Sequence, residues 1–289
     1  MLQEGHAVTG IDCFTDYYPR AVKENNIRNA LGHKNFSFIE EDIVNISEFP
    51  EVDYVFHQAA QAGVRGSWGK NFEIYIRNNI LATQKLLEYY KDRKLRKFVY
   101  ASSSSIYGNV HELPIHEDAP KNPFSPYGVT KLAAENLCSL YHKNHGVPSV
   151  SLRYFTVYGP RQRPDMGIHK FVHAALNREV IEIYGNGAQT RDFTYISDIV
   201  QANLLAMRKG PSGESFNIGG GGRISVVELL ELIKNAVGRD IILKHVDSQK
   251  GDVQDTYANV TKARNMIGYV PTVGIEEGIK RYAESINGE

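Results

Sequence analysis

Cysteine is scarce in this chain of 289 residues: Cys13 and Cys138 lie far apart, and neither sits in a ligand-like cluster. The pattern argues against a disulfide framework or a thiolate metal site and fits packing in a reducing compartment. An excess of either charge is also absent. The 33 basic and 33 acidic residues cancel, so no global field points to nucleic acid or an anionic membrane surface. No apolar run is long enough to span a bilayer, and Met1-Leu2-Gln3-Glu4-Gly5-His6 lacks the apolar centre of a signal peptide. These absences lead to an expectation of a soluble, cytoplasmic protein with neither a nucleic-acid nor a membrane partner. The histidine run closest to a metal motif, His111-Glu112-Leu113-Pro114-Ile115-His116, has one residue too many for the zinc-protease spacing, and Pro114 opposes the helix that motif needs. No metal is expected.

What the chain has is a globular composition, 42% hydrophobic, and enough length for a core divided between two lobes. Its first half alternates β-rich runs with helical stretches, the signature of a parallel sheet covered by helices on both faces. Strands are predicted at Ala7–Asp12, Phe36–Glu40, Tyr54–His57, Lys97–Ser102 and Ser149–Arg153, and helices at Phe72–Lys91 and Pro126–His145. Ile76, Ile80, Thr83, Leu87 and Tyr90 recur at helical spacing and are expected to face inward. After Gly159-Pro160 the rhythm loosens, with helices near Ser197–Arg208, Ser225–Val237 and Ile275–Ser285. The prediction is an α/β fold, a doubly wound parallel sheet over residues 1–159 with a smaller C-terminal lobe over residues 160–289. Ligands of such sheets bind outside the carboxyl ends of the strands, where a second lobe makes a cleft.

The strongest local signal is Ser125-Pro126-Tyr127-Gly128-Val129-Thr130-Lys131. Pro126 suits the first turn of a helix, and Tyr127 and Lys131 then project from one face. A nearby ammonium favours phenolate, making Tyr127 a base for a hydroxyl proton. Taken alone, such a pair is more often a solvated helix face. Upstream, Lys97-Phe98-Val99-Tyr100-Ala101 reads as a buried strand emptying into Ser102-Ser103-Ser104-Ser105. Those hydroxyls either relay a proton to Tyr127 or satisfy their own turn.

In this order the motifs resemble the extended short-chain dehydrogenases/reductases that epimerise or dehydrate nucleotide sugars, over nearly the whole chain. The resemblance rests on Gly10-Ile11-Asp12, His57-Gln58-Ala59-Ala60, the serine run before Tyr107-Gly108, Tyr127 to Lys131, Leu152-Arg153-Tyr154-Phe155, Arg191-Asp192-Phe193 and Gly251-Asp252-Val253. It implies a Rossmann-like NAD-binding domain, a UDP-sugar-binding lobe, and catalysis by Tyr127, Lys131 and Ser103. It places NAD against Asp12, Asp42, Ile43, Gln58, Ala59, Ala60, Gln61, Asn78 and Tyr154 as well as Tyr127 and Lys131. The Asp12 charge would repel a 2′-phosphate, favouring NAD over NADP. Arg191 is implied at the UDP phosphates and Asp252 near the uridine ribose, with Gln249 where many members carry arginine. A homodimer through the helices at Phe72–Lys91 and Pro126–His145 is also implied.

Within the family, dehydratases carry an Asp-Glu pair where this chain has Ser104 and Ser105, and decarboxylating members keep a glutamate at the Ser105 position. The two serines argue against both activities. The run from Phe155 to Met166 looks like that of UDP-glucuronate 4-epimerases, with Thr156 where glucose and galactose epimerases usually have asparagine. The expected reaction is NAD-dependent conversion of UDP-glucuronate to UDP-galacturonate through a 4-keto sugar. Oxidation at C4 creates a β-keto acid, so the carboxylate must be held out of line with the carbonyl π system. Arg163 is the expected clamp, with hydrogen bonds from Ser104, Ser105 and Thr156, and Arg65 as a further candidate. Arg161 and Arg163 read equally as loop charges or pyrophosphate ligands. The alternatives are a UDP-glucose or UDP-N-acetylglucosamine 4-epimerase, or a truncated UDP-sugar-binding relative without catalysis.

One element that the resemblance implies is missing. Leu2-Gln3-Glu4-Gly5-His6 reads as the end of a helix just before the family's second strand. The first strand, its G-x-x-G-x-x-G turn and most of the first helix, roughly 20 residues, are expected ahead of it. That strand lies mid-sheet in the usual order, so its loss is expected to expose apolar surface and unpaired backbone groups. A truncated chain is the expectation.

Overall fold

Phe98, Val99, Tyr100 and Ala101 are buried on both faces of their strand, as a parallel strand between two helical layers requires. The computed structural model, which describes residues 1–247 and 253–287, places them in β4 (Lys97–Ser103) of a four-stranded parallel sheet. Its other strands are β3 (Tyr54–His57), β5 (Ser149–Tyr154) and β10 (Ser215–Ile218), in the order β10-β5-β4-β3. A separate parallel pair, β1 (Val8–Ile11) and β2 (Phe36–Ile39), carries the predicted first two strands. Among the described residues β1 and β3 do not pair, so these six parallel strands fall into two sheets. Every residue of β1, and Tyr54, Val55 and Phe56 of β3, are only half-buried.

The helix α4 (Pro126–His145) has the predicted bounds. The Ser125 hydroxyl accepts the Gly128 N–H at 3.1 Å, Pro126 occupies the first turn, and Gly146 closes the last turn with φ 71°. The other predicted long helix forms with a difference. It runs as α2 (Phe72–Tyr75), a π-helical segment at Ile76–Leu81, and α3 (Ala82–Tyr90). The wider turns rotate everything ahead of them. Thr83, Leu87 and Tyr90 face inward as predicted, but Tyr75 and Asn79 are buried where Ile76 and Ile80 were expected, and Ile76 is 42% exposed. The helix α1 (Arg20–Leu31) was not anticipated. Its polar run Lys23-Glu24-Asn25-Asn26 conceals the helical period.

Beyond β5 the chain forms β6 (Thr156–Tyr158), α5 (Gly167–Asn177), β7 (Val180–Tyr184), β8 (Thr190–Arg191), β9 (Phe193–Tyr195) and α6 (Ile196–Lys209). After β10 come β11 (Ile224–Ser225), α7 (Val226–Val237), β12 (Ile242–Val246), α8 (Thr261–Ile267) and α9 (Ile275–Asn287). A second core gathers around Val172, Ile181, Ile183, Leu229, Leu230, Ile233 and Tyr282. The two cores interleave in sequence. Ala202 and Ala206 of α6, Phe216 and Ile218 of β10 and Ala263 of α8 return to pack with Val99 and Leu152 in the main-sheet core. No described helix is long and apolar enough to cross a membrane.

Candidate active site

The carboxyl ends of β1, β3, β4 and β5 open into one cavity of about 670 Å³, where doubly wound sheets bind their ligands. Asp12, Asp42, Ile43, Gln58, Ala59, Ala60, Gln61, Asn78 and Tyr154 line it together with Ser103, Ser104, Ser105, Tyr127, Lys131, Thr156 and Arg163. Arg65 and Arg191 do not. The Arg65 guanidinium lies 4.1 Å from the centre of the Tyr184 ring. Arg191 donates to the carbonyls of Thr190 at 2.8 Å, Gln254 at 2.9 Å and Val253 at 2.6 Å. Asp252 and Gln249 lie outside the described residues.

At the reacting end, α4 presses its first turn against the serine turn. A Cβ on Gly128 would come within 2.5 Å of the Ser105 carbonyl oxygen, so only glycine permits this approach. The Ser103 hydroxyl accepts the Ser105 N–H at 3.2 Å, so the run does satisfy its own backbone, and the Ser103 side chain also acts on the Tyr127 hydroxyl. The Tyr127 ring meets Tyr75 edge-on at 6.3 Å. Burial pushes the Tyr127 hydroxyl up, while the Ser103 side chain and the charge of Arg163 push it down; the net displacement is upward. The sequence assigns that second role to Lys131. Instead the buried Lys131 ammonium lies 4.6 Å from the centre of the Tyr100 ring, beneath the helix, and desolvation lowers it to about 8. His57, buried and hydrogen-bonded to Thr83 at 2.9 Å, is pushed down to about 3 by burial and then by the Lys131 charge, so it stays neutral.

Toward β1, Asp12 takes the Phe14 N–H on one carboxylate oxygen at 2.8 Å. Asp42 accepts the Val44 N–H at 2.9 Å and pairs with Arg77 at 2.8 Å. Gln61 is held by Asn79, whose side chain takes the Gln61 N–H at 2.7 Å and donates to the Gln61 carbonyl at 3.0 Å and to Thr130 on α4 at 2.9 Å. Tyr154, Gln58 and Asn203 share hydrogen bonds of 2.7 to 3.2 Å beside them. A strand-end carboxylate for ribose hydroxyls, small side chains at Ala59 and Ala60, and the buried ammonium of Lys131 form a donor set that fits a nicotinamide dinucleotide without a 2′-phosphate.

Four contributors escape the sequence reading. Asn79 and Tyr75 are brought inward by the π-helical segment, and Tyr75 donates to the carbonyls of Ala62 at 3.0 Å and Gly63 at 2.8 Å. Tyr17 and Asp165 meet at 3.1 Å across 148 residues of sequence. The aromatic pair Tyr17-Tyr18, just after the acidic strand end, was the available signal.

The fold and this cavity define a nucleotide-dependent enzyme of the extended short-chain dehydrogenase/reductase class. Residues 1–219 match the NAD dependent epimerase/dehydratase family, and the chain belongs to that family. It is 39% identical to the UDP-glucuronate 4-epimerase of Thermodesulfobacterium geofontis over 97% of this chain and 88% of that protein. It is 42% identical to the uncharacterized UDP-glucose epimerase YtcB of Bacillus subtilis over 95% of this chain and 88% of that one. The crystal structure of UDP-glucuronic acid 4-epimerase from Bacillus cereus, in complex with UDP-glucuronic acid and NAD, is similar with a TM-score of 0.94 at 40% identity, covering 99% of this chain and 92% of that one. The Rossmann-like fold expected from the sequence is therefore the fold observed.

Proposed function

We propose that this chain epimerises UDP-glucuronate to UDP-galacturonate at C4. The observation that carries the reading is the position of Arg163, a cation in the wall of the same cavity as Tyr127 whose charge acts on the Tyr127 hydroxyl. A guanidinium that close to the reacting hydroxyl suits a sugar with a carboxylate next to C4. Thr156, Ser104 and Ser105 offer it hydrogen bonds from the same wall. The carboxylate falls to Arg163 rather than to Arg65, which stacks on Tyr184 outside the cavity.

Tyr127, assisted by Ser103, removes the C4 hydroxyl proton and later returns it. NAD, when bound, would supply a reversible hydride acceptor for C4. Lys131 holds the nicotinamide ribose, and Asp12, Asp42, Ile43, Gln58, Ala59, Ala60, Gln61, Asn78 and Tyr154 hold the rest of the dinucleotide. Arg191 takes the UDP phosphates and Asp252 the uridine ribose; Arg191 already reaches the Val253 carbonyl beside that segment. The division of labour is a cofactor-binding part over 1–159 and a mainly substrate-binding part over 160–289. The apolar side chains Ile74, Leu81, Val129 and Leu140, exposed on α2, the π-helical segment and α4, support a homodimer. The free thiols of Cys13 and Cys138 support a cytoplasmic location.

Incubation of the purified chain with NAD⁺ and UDP-glucuronate, followed by separation of the products, tests the proposal. UDP-galacturonate is expected, with UDP-glucose and UDP-N-acetylglucosamine at least about tenfold slower for want of the charged hydrogen bond. Turnover of UDP-glucose with UDP-glucuronate left unchanged overturns it.

A further inference from the structure

Asp165 holds Arg163 from behind. Its carboxylate takes the Arg163 Nε–H at 2.9 Å and an Nη2–H at 3.2 Å, and also accepts the Tyr17 hydroxyl at 3.1 Å. Arg163 lines the cavity, whereas Asp165 does not. Tyr17 belongs to the loop that follows Asp12, so the Asp165 carboxylate ties the cofactor side of the cleft to the substrate segment after β6. Two contacts reinforce the tie. The Arg163 guanidinium lies 5.6 Å from the centre of the Tyr17 ring, and Arg161 donates to the Asn26 carbonyl of α1 at 3.0 Å.

A carboxylate that grips the Nε/Nη2 edge fixes the plane of a guanidinium and leaves its remaining N–H groups for a second partner. Nη1 of Arg163 has no hydrogen-bond partner among the described residues. Burial and then the charge of Asp165 push the Tyr17 hydroxyl up to about 12, so it remains a donor across the neutral range. The ion pair is partly exposed, with side chains 28% and 36% accessible, so its contribution is orientation more than energy.

Orientation matters because of what the 4-keto acid can do. When its C5–carboxylate bond lies parallel to the carbonyl π orbitals, that bond breaks. Its electron pair becomes the C4–C5 enolate, carbon dioxide leaves, and a proton then adds at C5 to give a 4-keto-pentose. We propose that Asp165 and Tyr17 are positioning residues that lock the Arg163 guanidinium in one plane, so that the carboxylate it grips cannot swing into that alignment. This inference rests on the UDP-glucuronate reading above.

The test is a partition measurement on the full chain with NAD⁺ and UDP-glucuronate labelled at its carboxylate carbon. Labelled carbon dioxide and UDP-4-keto-pentose are counted against UDP-galacturonate for the wild type, Asp165→Asn and Tyr17→Phe. In Asp165→Asn the share of turnovers ending in carbon dioxide is expected to rise by up to about fivefold, the upper end for a partly exposed ion pair. Tyr17→Phe, which removes one hydrogen bond and keeps the ring, moves the share the same way by less, and decides the matter if Asp165→Asn does not fold. A wild-type chain that leaves UDP-glucuronate unchanged overturns the substrate reading and this inference together. Wild-type epimerisation with an unaltered carbon dioxide share in the folded variants, whatever their rates, overturns this inference alone.

Discussion

Arg153 and Glu135 form a buried ion pair, Nη2 to Oε1 at 2.7 Å, beneath the helix face that carries Tyr127 and Lys131. Glu135 lies one turn beyond Lys131 on α4 and also accepts the Ser102 hydroxyl at 2.6 Å, next to Ser103 on β4. Arg153, on β5, donates further to the Tyr107 hydroxyl at 2.6 Å and to the Glu117 carbonyl at 2.7 Å. With Nε also donating to the Glu135 carboxylate, every guanidinium nitrogen of this buried cation and both oxygens of its partner are engaged, as burial of charge requires.

Removing one partner strands the other. Glu135→Ala is expected to lower unfolding stability by about 3–5 kcal/mol, because it leaves an uncompensated buried charge. The double replacement Glu135→Leu with Arg153→Met should cost less than the single one, since it leaves no orphan charge. Urea denaturation of the three proteins is the measurement. A loss below about 1 kcal/mol in Glu135→Ala would place the pair in the class of dispensable surface bridges.

Tyr127→Phe isolates the hydroxyl. The ring's edge-on contact with Tyr75 survives the substitution, so the urea midpoint should be unchanged. The epimerisation rate should fall by about 10²–10⁴, the usual worth of a positioned acid–base group. Product formation by the folded, NAD-loaded variant checks this. Retention of most of the wild-type rate would move the base elsewhere, with Ser103 next in line.

Much of this site is legible in the sequence because sheet geometry does the placing. Strand ends announced by β-rich runs, at Asp12, Gln58, Ser103 and Tyr154, collect at one edge of a doubly wound sheet. The cap Ser125-Pro126 and a four-residue spacing then bring Tyr127 and Lys131 to it. What was not legible depends on direction or distance. The spacing rule assumes regular helical turns, so the π-helical segment hid Asn79 and Tyr75. Arg65 has the right charge, but charge does not say where a side chain points: it lies over the Tyr184 ring rather than in the cavity wall. Asp192, beside Arg191, read as part of a motif whose arginine mattered. It is instead a buried acceptor for the Gly220 N–H at 2.6 Å and the Ala258 N–H at 3.0 Å, pushed up to about 6 by desolvation. Contacts such as Tyr17 with Asp165 join two loops that give no period at all.

Lys131 sets two pH dependences of opposite sign. Burial lowers its ammonium from the ordinary 10.5 to about 8, against the attraction of Cys138 and Glu135. Below about pH 8 the folded chain carries the buried charge and bears the full desolvation cost. Between there and 10.5 the folded lysine is neutral while the unfolded one remains protonated, so this group's contribution to stability rises with pH. Activity is expected to run the other way, because the ammonium is the form proposed to hold the nicotinamide ribose. The pH profile of kcat/KM for UDP-glucuronate is therefore expected to fall above about 8. Lys131→Arg, which keeps its charge throughout this range, should work more slowly but lose that falling limb. If wild type and Lys131→Arg share one falling limb, the titrating group is another residue, and the protonation of Lys131 does not limit the rate.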